Sequence, residues 1–146
     1  MQPNLHELGF ILDPAAVHGR RSISIKDITL LFQSTTPTLG YEEIRQLVIE
    51  DNILAKHTHS ARQGILRCLR EFYGLNPDLV IYNSLRFFWQ YADLDRPLLA
   101  LLCAAARDPI LQRSAKIVLP WPQNTPLPKA ALEKYLQGRY PQTYSP

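Results

Sequence analysis

Apolar positions recur every three to four residues through the middle of the chain, and this spacing predicts helices. Ile44, Leu47 and Val48 mark one stripe over residues 41–52, where Glu42 and Glu43 occupy a first turn that favours negative charge. Ala61, Ile65, Cys68, Leu69, Phe72 and Tyr73 mark a second over 58–73, opened by Thr58 as a cap and stopped by Gly74. Asn76-Pro77 predicts the start of a third helix. Its inward face is Ile81, Leu85, Phe88, Trp89 and Ala92, and its wet face Asn83, Arg86 and Gln90. Asp95-Arg96-Pro97 opens a fourth, Leu98 to Ala106, which is apolar all round and so is expected at the centre of a bundle. Asp108-Pro109 opens a fifth. After a stiff connector over 120–128, set by Pro120, Pro122, Pro126 and Pro128, a last helix is expected from Lys129 to Gln137, before Gly138.

The first forty residues carry weaker signals. Ser24-Ile25-Lys26-Asp27 has the form of a capping box, predicting a short helix through Phe32. Asp13-Pro14 and His18-Gly19-Arg20-Arg21 read as loop, and 34–40 as a polar connector. No run alternates with period two, and no repeat is present. The expected fold is all-α: a compact multi-helix bundle, one domain over 1–146, containing a helix-turn-helix-like pair.

Composition narrows the function classes. The 146 residues fit one domain with a single core, and 46% hydrophobic with 20% charged residues is a globular balance. The net charge of +3 permits an anionic partner without requiring one. Cys68 and Cys103 fall among apolar helical positions, so they read as small core residues in a reducing compartment. The N-terminus lacks the basic-then-apolar pattern of a signal peptide, and Pro97 to Ala106 is about half of a membrane span. A cytoplasmic protein without a membrane partner is expected.

Catalytic and metal patterns are missing from the sequence. The six glycines are scattered singly, with no phosphate loop. His57 and His59 have no carboxylate or thiol at zinc-like spacing. Asp93 and Asp95 flank a helix start, where capping explains them. The expectation is a non-enzyme with no metal, no cofactor and no small-molecule substrate.

One constellation carries a functional signal. Helices 41–52 and 58–73, joined through Ile53-Leu54-Ala55-Lys56-His57, have the outline of a helix-turn-helix. At about 100° per residue, His59, Gln63, Arg67 and Arg70 share the outer face of the second helix. Arginine bridges acceptors on guanine, glutamine does so on adenine, and both hold phosphates. Lys56 and Thr58 would meet the DNA backbone near the helix start, while Arg62 would snorkel or pair with an acid of the preceding helix. Arg20, Arg21, Lys26, Arg113 and Lys116 are further candidate phosphate contacts. The expected partner is double-stranded DNA, although an arginine-bearing solvated face is also common in bundles. The acidic cluster Glu42, Glu43, Glu50 and Asp51 weighs against DNA unless it faces away.

Glu50-Asp51-Asn52-Ile53-Leu54, with Lys56, Thr58 and Ser60-Ala61-Arg62, resembles a helix–helix segment of the BrxA family. Pro97-Leu98-Leu99-Ala100-Leu101-Leu102 and Ala106-Arg107-Asp108-Pro109-Ile110-Leu111 resemble that family's central helices. The resemblance covers roughly residues 38–119. BrxA is the small accessory protein of bacteriophage-exclusion (BREX) defence systems. The resemblance implies a non-enzymatic, all-helical protein that binds double-stranded DNA beside larger phage-defence proteins. It supplies no catalytic residue. Family members continue beyond the point equivalent to Tyr144-Ser145-Pro146, which implies an N-terminal portion or a shorter relative.

Two rival readings remain. The first is a docking scaffold that uses apolar surface near Phe87, Trp89, Trp121 and Tyr135, without touching DNA. The second is a small enzyme, which requires a pocket that gathers His57, His59 and carboxylates.

Overall fold

The computed structural model describes residues 4–13 and 22–144. Every regular element among them is a helix: α1 (Leu5–Leu8), α2 (Ile25–Ser34), α3 (Tyr41–Ile49), α4 (His59–Tyr73), α5 (Val80–Trp89), α6 (Arg96–Arg107), α7 (Pro109–Val118) and α8 (Lys129–Arg139). The all-α class is the one the apolar spacing predicted.

Local chemistry accounts for several boundaries. Thr58 accepts from the Ala61 amide and Gly74 adopts φ 88°, so α4 starts and stops where its cap and its glycine direct. Asp108 accepts from the Ile110 and Leu111 amides and opens α7. Three starts differ from expectation. Asp95 precedes α6 without a side-chain cap hydrogen bond. Asn76 uses its side chain to accept from the Asp78 amide, building a turn over 76–79 and delaying α5 to Val80. Ser24 lies at φ 41° and donates its hydroxyl to the Asp27 carboxylate, so the expected capping box does not form.

α6 organises the core, packing on α4, α5 and α7 and touching α2. Its buried side carries Ala100, Cys103 and Ala104, small enough to bring backbones close. Cys103 Sγ lies 3.6 Å from the Phe72 carbonyl oxygen of α4. Its outer side does not match the expected central burial: Leu98, Leu101 and Leu102 are about half exposed. On α5, Trp89 is buried as expected, but Phe88 is half exposed and Arg86 is buried.

Arg86 is buried because another helix ends against it. Its guanidinium donates to Thr35 Oγ1 and to the Thr35 carbonyl, 2.8 and 2.6 Å, at the C-cap of α2. Three more arginines do the same elsewhere. Arg62 of α4 caps α3 through Ile49 O, Arg96 of α6 caps α5 through Trp89 O, and Arg107 of α6 takes Glu71 O and Arg70 O in the last turn of α4. The last carbonyls of a helix lack intrahelical donors and carry partial negative charge, so a guanidinium satisfies both deficits. Arg107 also donates to the Gly9 carbonyl, which fastens the segment after α1 to the core. Burial pulls the Arg107 pKa below the usual arginine range, an effect partly offset by the neighbouring Cys103.

Candidate nucleic-acid interface

The α3–α4 pair is an antiparallel hairpin. Arg70 stacks over the Tyr41 ring at 4.4 Å, while Arg62 bonds Ile49 O at 2.7 Å, so opposite ends of the two helices meet. The connection runs from 50 to 58, longer than the turn of about three to four residues in a compact helix-turn-helix. Asn52 and Ala55 adopt positive φ, Asn52 accepts from the Lys56 amide, and Leu54 is buried. This anchored loop reverses the chain and lays α4 along α3, and the expected helix-turn-helix-like pair is not confirmed.

Between the helices lies a cavity of about 250 Å³. Ile49 and Leu66 supply its apolar lining; Tyr41, Arg45, Gln63, Arg67 and Arg70 supply its polar lining. No carboxylate among the described residues lines it. Gln63, Arg67 and Arg70 are exposed and share one face of α4, as the helical spacing predicted. Arg45 was not anticipated. It joins them because position 45 lies one turn from Tyr41 on α3, and the hairpin register sets that row opposite α4. The acidic side chains of α3 lie elsewhere; Glu43, for example, accepts from the Gly40 amide at the helix start.

The remaining candidates separate. Lys56 is tied to the buried Asp27 carboxylate at 2.7 Å and does not line the groove. Thr58 is exposed but spends its hydroxyl oxygen on the α4 cap. His59 is exposed at the start of α4, away from the groove lining. Arg62 meets a carbonyl, not the acid expected for it. Lys26 and Lys116 are exposed on α2 and α7 and do not line the groove. Arg113 is half buried, stacked beneath Tyr140 and Tyr144 at 4.5 and 5.6 Å, where it holds the chain after α8 against α7. Arg20 and Arg21 lie outside the described residues.

The features sought by the rival readings are differently placed. His57 and His59 are exposed, and no group of three or more His, Cys, Asp or Glu among the described residues could hold a metal ion. Trp89 is buried, while Trp121 and Tyr135 are half buried. A large apolar surface is built on α5 and α6. No helix among the described residues is long and apolar enough to cross a membrane.

The described residues thus form an all-helical bundle in which one inter-helix groove gathers Arg45, Arg67 and Arg70. No protein-family model matches the chain, and neither the curated proteins nor the solved structures contain a match to it.

Proposed function

We propose that the chain is a non-enzymatic module that binds double-stranded DNA by gripping backbone phosphates in the α3–α4 groove. The observation that carries this reading is the convergence of Arg45, Arg67 and Arg70 with Gln63 in one groove whose lining, among the described residues, includes no acid. A guanidinium presents paired N–H groups that match two phosphate oxygens, and a second cation nearby lowers the cost of bringing the anion out of water. The groove lies between two helices, so it fits the sugar-phosphate strand better than a base edge. Binding is therefore expected to be largely indifferent to sequence. The BrxA-like segments support placing the module beside larger proteins of a bacterial phage-defence system, in the cytoplasm.

Fluorescence anisotropy with a random-sequence duplex across a salt series tests the proposal. Three phosphate contacts give a slope of log affinity on log salt of about −3. Arg45→Glu with Arg67→Glu should abolish binding while leaving the melting temperature in place. Binding that survives this variant, or no binding by the unaltered chain at low salt, rules the groove out.

A separate observation favours the alternative of a docking scaffold without DNA contact: the exposed apolar face of α5 and α6. Under that reading the same charge reversals leave partner capture untouched.

A further inference from the structure

From Pro97 to Ala106, α6 contains no charged or polar side chain. A helix of that kind is normally covered on all sides. Here the inner side is covered, by α4, α5 and α7, while Leu98, Leu101 and Leu102 stand 53%, 45% and 58% exposed. Beside them Phe87, Phe88 and Tyr91 of α5 and the turn after it are 56%, 52% and 74% exposed, joined by ring contacts of 5.3 and 5.4 Å. Phe88 and Leu102 flank an apolar cavity of about 380 Å³ between the two helices, so the two groups form one continuous surface.

We infer that this face is the interface of a symmetric dimer, occupied by a second copy of the chain. Three features select that occupant. The first is area. The six exposed side chains amount to roughly 600 Å² per copy, which brings the total above the ~1,000 Å² expected of a specific interface. The second is charge. Copies that each carry +3 repel one another overall, but the six apolar side chains of this face carry no charge to oppose contact. The third is shape. The face carries both a ridge, Leu98 and Leu101, and an apolar groove beside it. A two-fold axis near Leu102 lets each ridge enter the partner's groove, the self-complementarity that a two-fold contact needs. A membrane-surface helix would instead carry lysine and arginine along its polar side, and the other side of α6 is core.

Sedimentation equilibrium of the full chain, from micromolar to hundreds of micromolar, provides the test. The expected mass is twice that of the chain, and Leu98→Glu with Leu102→Glu should weaken association at least tenfold with helix content unchanged. A monomer at every concentration overturns the inference. So does a dimer that the double variant leaves intact, or a monomer that binds neutral phospholipid vesicles through this face. If the glutamates unfold α6, leucine methyl NMR of the unaltered chain decides. Concentration-dependent shifts confined to Leu98, Leu101 and Leu102 support the dimer, and shifts elsewhere or none refute it.

Discussion

Arg62 reaches across the hairpin to donate from Nη1 to the carbonyl of Ile49 at 2.7 Å, so the second helix finishes the last turn of the first. Arg86, Arg96 and Arg107 repeat the device on α2, α5 and α4. The consequence is that the chain's basic character is partly architectural. Arginines that cap helices are oriented inward and shared with carbonyls, and they contribute little to the field outside the protein. Arg45, Arg67 and Arg70 are different: among the described residues none of them has a carboxylate within ion-pair distance.

Two arginines five positions apart on α4 should therefore behave oppositely. Arg62→Met strands the Ile49 carbonyl and should cost about 1–3 kcal/mol in urea unfolding. Arg67→Met alters an exposed side chain and should stay within about 0.5 kcal/mol. Equal losses would mean that Arg67 is structural, and the groove would lose its claim to bind anything.

Lys56 separates the sequence's expectation from the structural arrangement. Its ammonium is committed to Asp27, which is buried and also accepts from Ser24. Lys56→Gln should lower stability, because a buried carboxylate loses its cation, yet leave the salt slope of the proposed DNA binding unchanged. Arg67→Gln should do the reverse, reducing the slope by about one without a stability loss. A reduced slope for Lys56→Gln would return that residue to the interface.

What could be read from the sequence was whatever is decided within one or two helical turns. The cap at Thr58, the stop at Gly74 and the Asp108 start of α7 are local, and they fell where expected. So did the outer face of α4. Features fixed by distant chain did not show. Arg86 has the spacing of a wet residue, and only the arrival of the α2 C-terminus makes it a buried cap. Arg45 joins the groove only through the hairpin register. The short α1 depends on Arg107 and on Gln112, whose amide donates to Ile11 O, contacts about a hundred positions away. The uncharged face of α6 was visible as a pattern, but not which side of it the fold would leave uncovered.

Two glycines should respond to alanine with opposite signs. Gly9 adopts φ 103°, and a Cβ there would sit 2.5 Å from Ile81 Cγ2 on α5. Gly9→Ala should destabilise by about 1–3 kcal/mol, because backbone strain and overlap add. Gly138 lies in α8 with nothing within 4 Å of its would-be Cβ, so Gly138→Ala should stabilise by up to about 1 kcal/mol. Thermal unfolding of the two variants side by side checks both. A tolerated Gly9→Ala would show that the segment after α1 is not held against α5 as described.

The buried thiol of Cys103 should make stability fall at alkaline pH. Burial between α6 and α4 pushes its pKa up to about 12, against a modest downward pull from Arg107. Burial also raises the Tyr73 phenol nearby. In the unfolded chain a cysteine loses its proton near pH 8.5. Above that value the unfolded state binds fewer protons than the native state, so unfolding becomes easier as pH rises. The stabilisation from Cys103 is complete below about pH 8.5 and drains away toward pH 12. Urea unfolding between pH 7 and pH 11 should show this decline, and Cys103→Ala should remove its part between about pH 8.5 and about pH 10, from a lower starting stability, leaving the fall due to Tyr73 at higher pH. In a Cys68→Ala background, native Cys103 at pH 8 should react with a thiol reagent far more slowly than the denatured chain. Rapid labelling of the folded protein would place the thiol at the surface and remove the basis for the pH dependence.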